Sequence, residues 1–98
     1  MSDENDVIGR DVYPLPVLMY GRADCEYTAQ ARRRLQGFEI PFVEFDIDED
    51  EEAARYVERI NHGEQLTPTI VFGDEDFILA RPDMHELDQA LQRAGYQF

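Results

Sequence analysis

The sequence predicts an α/β domain with elements in the order β-α-β-α-β-β-α and helices on both faces of a small mixed sheet. Three observations carry this. Leu15 to Tyr20 is a continuous apolar run of strand length, which suits a strand covered on both faces. Two amphipathic helical stretches alternate with a second strand pattern. A hairpin over 69–79 then leads into a capped last helix.

Each element follows from its residues. Pro14 and Pro16 stiffen the entry and bar a helix there. Gly21-Arg22-Ala23-Asp24 ends the first strand, and the first helix runs from Glu26 to Gln36 with Gly37 as its expected C-cap. Tyr27, Ala31, Leu35 and Phe38 fall at i, i+4, i+8 and i+11, an expected apolar stripe. Pro41 to Asp46 alternates as a second strand, parallel to the first because a helix intervenes. Acidic Asp48 to Glu52 opens the second helix, where acids complement the dipole; Ala53, Val57 and Ile60 mark its apolar face. A calcium loop would need a glycine that this acidic cluster lacks, so we expect no metal site. Ile70 to Phe72 and Phe77 to Leu79 flank the turn Gly73-Asp74-Glu75-Asp76. Asp83 and Glu86 form a capping-box pair, and Met84, Leu87, Leu91 and Ala94 share one face of a helix stopped at Gly95.

The 98 residues suit one domain. We assign 1–13 to an acidic, mobile arm in which Val7-Ile8 and Val12-Tyr13 add a short edge contact, and 14–98 to the domain. The net charge is −13, and all nine basic residues are arginine. Such a balance argues against nucleic acid or an anionic membrane as partner. No apolar run is long enough to span a bilayer. One cysteine excludes an internal disulfide framework and, with no secretory segment, suits the reducing cytoplasm.

The chemistry centres on that cysteine. Cys25 falls at the first turn of the first helix, where unpaired N–H groups and the dipole favour an anion, here the thiolate. Thr28, three residues on, can donate its hydroxyl to the sulfur, and Arg22 can pair with a substrate carboxylate or lower the thiol pKa. Asp24 and Glu26 flank the thiol and are expected to oppose this. Blander readings stand beside these. Cys25 can be an inert small hydrophobe, Thr28 an ordinary helix hydroxyl, Arg22 a solvated charge, and Tyr27 part of the core stripe with its hydroxyl at the rim. His62 and His85 read as surface residues.

From Val17 to Tyr96 the chain resembles the glutaredoxin family of the thioredoxin-like fold, and most closely its small bacterial, mycoredoxin-like branch. The resemblance rests on an ordered set: Met19-Tyr-Gly-Arg22 before Cys25-Glu-Tyr-Thr28, then Phe45-Asp-Ile-Asp48, Asn61-His-Gly63, Leu66-Thr-Pro-Thr-Ile-Val-Phe72, and Ala80-Arg-Pro-Asp83. It implies a four-stranded sheet in the order 2-1-3-4 with the third strand antiparallel to the first. It also implies a cis Thr67–Pro68 bond beside Cys25, with the Thr67 backbone pairing to a bound thiol. Thr28 replaces the family's second cysteine, so the chain resembles a monothiol member. The implied site is Cys25 and Thr28 for catalysis, with Arg22, Tyr27, Thr67, Pro68 and Asp83 for substrate. The implied activity is reduction of mixed disulfides by a monomer, with glutathione or mycothiol as co-substrate, a disulfide-containing protein as partner, and no tightly bound cofactor. Two alternatives stay open: a redox-inactive module that binds a protein through the cis-proline groove, and an iron–sulfur cluster carrier.

Overall fold

The computed structural model describes residues 13–98. The elements are β1 (Val17–Gly21), α1 (Glu26–Gly37), β2 (Val43–Asp46), α2 (Glu51–Ile60), β3 (Thr69–Phe72), β4 (Phe77–Ala80) and α3 (Met84–Arg93). The sheet order is β2-β1-β3-β4. β1 and β2 are parallel, and β3 is antiparallel to both β1 and β4. This is the thioredoxin-like α/β topology expected from the sequence. The arm assigned to 1–13, with its edge contacts, lies outside the described residues except for Tyr13, which is exposed.

Side chains alternate across the sheet because the strand period is two. Val17 and Met19 of β1 join Ile70 and Phe72 of β3 on one face, where Ala31 and Leu35 of α1 and Leu87 and Leu91 of α3 cover them. Tyr20 and Val71 point the other way, against Ala53 and Val57 of α2. Removing Leu35, Ile70, Phe72 and Leu87 fully from water contributes about 1.5–3 kcal/mol for each side chain. The first apolar run is thus covered on both faces, although the strand begins at Val17. Leu15 is buried ahead of it, its N–H donating to the Ala94 carbonyl.

Local signals set most helix ends. Asp50 caps α2 by accepting from the Ala53 N–H, and Asp83 and Glu86 complete the capping box of α3. Gly95, with φ of +104°, closes α3. Its N–H donates to the Gln92 carbonyl and that of Tyr96 to Leu91, the paired pattern that satisfies a helix's last carbonyls. The expected glycine cap of α1 is different. Gly37 is the last helical residue, and Glu39 takes the left-handed position at φ +58°. The Ile40 N–H then reaches the Leu35 carbonyl, and both side chains enter the core. Burial of Ile40 outweighs the cost of a glutamate in that conformation.

The stripe of α1 is also shifted. Tyr27 is 52% exposed, while Thr28 is fully buried with Ala31 and Leu35. Thr28 stands at i, i+3 and i+7 with those residues, and Tyr27 lies a third of a turn away at the rim. On α2, Ile60 is half-buried rather than central to the core.

Candidate active site

β1 ends at Gly21 beneath the start of α1. A Cβ at Gly21 would sit 2.4 Å from Thr28 Cγ2 and 2.7 Å from its Oγ1, so only glycine allows this approach. The Thr28 hydroxyl is thereby held under the loop, where it accepts from the Arg22 N–H at 3.4 Å. The loop then delivers Cys25 as the N-cap of α1, in extended conformation.

The sulfur faces the turn before β3. The Thr67 hydroxyl donates to Cys25 Sγ at 3.2 Å, and the thiol faces the Thr67 carbonyl at 3.6 Å. The Thr67–Pro68 bond is cis. Partial burial pushes the Cys25 thiol pKa up. Hydrogen bonds from the Thr67 and Thr28 side chains, and from the backbone N–H groups of Thr28 and Tyr27, more than offset this, so the pKa lies below its ordinary value. The opposition expected from Asp24 and Glu26 therefore does not prevail. Both side chains are exposed, where water screens them, and Glu26 pairs with Arg33 at 3.2 Å.

Arg22 is engaged elsewhere. Its Nε donates to Asp48 at 3.0 Å, one Nη donates to the Gln65 carbonyl, and the other bonds the Gln65 side chain. Gln65 in turn donates to Glu58 of α2 at 2.6 Å. The lowering of the thiol pKa comes from hydrogen bonds at the sulfur and not from Arg22. Asp83 turns a carboxylate oxygen onto the Glu86 N–H of its own helix at 2.8 Å. Thus Cys25, Thr28, Thr67 and Pro68 are brought together. Tyr27 forms the rim, Arg22 braces the loop from the α2 side, and Asp83 caps α3.

The model of the family described as glutaredoxin matches residues 17–78, from the start of β1 into β4. The chain belongs to the glutaredoxin family. Mycoredoxin 1 of Corynebacterium glutamicum is 33% identical over 58 residues, which covers 59% of this chain and 71% of the relative. The crystal structure of a glutaredoxin from Methanosarcina mazei Go1 matches with a TM-score of 0.69 at 23% identity, over 85% of this chain and 81% of that one. A thioredoxin-like protein matches at 0.67 and 24%, over 78% and 94% respectively. Both structures support the fold. Among the described residues, no cluster of His, Cys, Asp and Glu could hold a metal ion, and no helix is long and apolar enough to cross a membrane.

Two residues that hold this glutaredoxin-family site entered the sequence reading only as members of family motifs, with no role assigned. Asn61, at the end of α2, donates its amide to the Val57 carbonyl at 3.0 Å and the Thr69 hydroxyl at 3.1 Å. Thr69 Oγ1 donates to Leu66 at 2.7 Å, so Asn61 and Thr69 together hold the turn that contains Thr67 and Pro68. Arg81, after β4, donates its N–H to the Pro68 carbonyl at 2.7 Å and its Nε to the Thr67 carbonyl at 3.1 Å. The sequence signals were their places in Asn61-His-Gly63 at a helix exit and in Ala80-Arg-Pro-Asp83 before the last helix. Neither signal names its partner.

Proposed function

We propose that this glutaredoxin-family chain is a monothiol thiol–disulfide oxidoreductase that reduces mixed disulfides with a low-molecular-weight thiol. The carrying observation is the Cys25 sulfur at the start of α1, with the Thr67 hydroxyl 3.2 Å away and a lowered pKa. The thiolate is the attacking form, and these contacts stabilise it without shutting the sulfur away from solvent.

The reaction is two exchanges. Cys25 thiolate attacks the low-molecular-weight sulfur of a protein mixed disulfide. The new S–S bond forms on Cys25, the old one breaks, and the protein thiolate leaves and takes a proton from water. A second thiol molecule, as thiolate, attacks the sulfur bonded to Cys25. Cys25 is regenerated as thiolate, and the small molecules depart as their symmetrical disulfide. With one cysteine in the chain, no internal disulfide competes. Thr67 and Thr28 stabilise the thiolate both when it attacks and when it leaves. The Thr67 backbone and Pro68 form the wall against which the small thiol lies, with Tyr27 and Asp83 at its margins. The co-substrate is glutathione or mycothiol, the pair that the kinship with glutaredoxin and mycoredoxin suggests. The setting is the cytoplasm, and the protein works as a monomer without a tightly bound cofactor.

Alkylation rate against pH tests this reading. Wild type should reach half its limiting rate below the ordinary thiol pKa of about 8.5, and Cys25→Ser should abolish both alkylation and turnover of a mixed disulfide. A half-maximal rate at or above that pH, or turnover surviving in Cys25→Ser, would favour the protein-binding module instead.

A further inference from the structure

Among the described residues, Arg22, Arg32, Arg33, Arg34 and Arg55 each pair with a carboxylate. Arg81 pairs with none of them, yet it is held in place by three separate ties. Its backbone N–H bonds Pro68, its Nε bonds the Thr67 carbonyl, and its guanidinium carbon lies 5.1 Å from the centroid of the Tyr27 ring. The carbonyl oxygen that receives Nε at 3.1 Å is the one facing Cys25 Sγ at 3.6 Å. The guanidinium and the thiol therefore share one carbonyl oxygen. Both Nη groups are without a hydrogen bond among the described residues.

This arrangement has the form of an anion receptor. The contact over the Tyr27 ring and the Nε bond hold the guanidinium in place, so less rotamer freedom is lost when a carboxylate binds. The two Nη groups can present a fork of donors to that carboxylate. The need for such a cation is electrostatic. The chain carries −13, and Asp24 and Glu26 stand beside the thiol, so an anionic thiol approaches against repulsion. Arg22 cannot serve in the same way, because Asp48 already neutralises it.

Resting on the oxidoreductase reading, the geometry points to Arg81 as a specificity-determining residue that selects carboxylate-bearing thiols over neutral ones. It acts on the small molecule exchanged at Cys25 and leaves the reactivity of the sulfur to Thr67 and Thr28.

The test compares two disulfides with the full chain: glutathione disulfide, which carries carboxylates, and bis(2-hydroxyethyl) disulfide, which is neutral. The rate at which Cys25 takes up each thiol is followed by intact-mass spectrometry for wild type, Arg81→Gln and Arg81→Lys. Both substitutions occupy the left-handed position at φ +49° much as arginine does, and the side chain is exposed, so folding should persist. We expect Arg81→Gln to slow the glutathione reaction about threefold to fivefold more than the neutral one, the range of an exposed ion pair. Arg81→Lys should restore most of the loss. Equal slowing with both disulfides, no change with either, or an unfolded Arg81→Gln would each overturn the inference while wild-type reactivity upheld the oxidoreductase reading. A wild-type Cys25 that reacts with neither disulfide would defeat that reading, and this inference with it.

Discussion

The Thr67 hydroxyl donates to the Cys25 sulfur across 3.2 Å, joining residues 42 apart in the chain. One is delivered by the loop after β1 and the other by the turn before β3, and these two strands are neighbours at the centre of the sheet. The reactive sulfur is therefore a product of the topology, since α1 alone supplies its N–H groups and the Thr28 hydroxyl but not the Thr67 donor.

Thr67→Val keeps the side-chain shape and removes the donor. With one hydrogen bond to the thiolate lost, the Cys25 pKa should rise and its alkylation profile should move to higher pH. At neutral pH the rate should fall about threefold to tenfold, a hydrogen bond to a charge weakened by partial exposure. An unchanged profile would mean that the helix N–H groups and Thr28 suffice.

Gly21→Ala tests the floor of the site. The added methyl would lie 2.4 Å from Thr28 Cγ2, so a fully buried side chain must move or the loop must lift. Overpacking of this kind costs about 1–3 kcal/mol, which urea unfolding would measure. Because Thr28 helps to hold the thiolate, the same variant should also raise the Cys25 pKa. Loss of stability with an unmoved thiol titration would show that Thr28 does not act on the sulfur.

How much of this was legible depended on distance along the chain. The Asp83–Glu86 capping box spans three residues, and the spacing disclosed it. The first strand, its burial on two faces and the hairpin were likewise local patterns. The position of Tyr27 was misjudged because an i, i+4, i+8 series drifts around a helix, and Thr28 fits the buried face better. Glu39 was missed because its left-handed backbone is imposed by the burial of Ile40. The role of Arg81 was missed because Thr67 stands 14 residues earlier, and no periodicity links a loop arginine to a distant carbonyl. The strand order came from the ordered resemblance of motifs, since hydrophobic pattern does not say which strands are neighbours.

Arg34 of α1 and Asp88 of α3 make a two-pronged ion pair, at 3.0 and 2.5 Å, that ties two helices on one face of the sheet. The hydrogen bond from Arg34, with its charge, holds the Asp88 carboxyl below its ordinary value despite partial desolvation. A lowered carboxylate stabilises the fold at pH above its unfolded pKa of about 3.9, and that contribution disappears as pH falls through the folded value. Asp88→Asn should therefore lower the urea midpoint at neutral pH, and the gap from wild type should close on acidification. A gap that persists at low pH would mean that the asparagine disturbs packing instead.

Asn61→Ala removes the amide that binds both the Val57 carbonyl and the Thr69 hydroxyl. The first bond closes the end of α2, and the second steadies the turn carrying Thr67 and Pro68. Losing both should cost about 1–3 kcal/mol, since each is partly buried and water can replace only some of the lost bonding. The effect should not stop at stability. With Thr69 freed, the turn can shift, and the Thr67 hydroxyl loses its fixed approach to Cys25. Alkylation at neutral pH should slow in a folded Asn61→Ala, and amide exchange near Leu66 and Thr69 should quicken. Lower stability with unchanged alkylation would confine Asn61 to the helix end and leave the turn held by Thr69 and Leu66 alone.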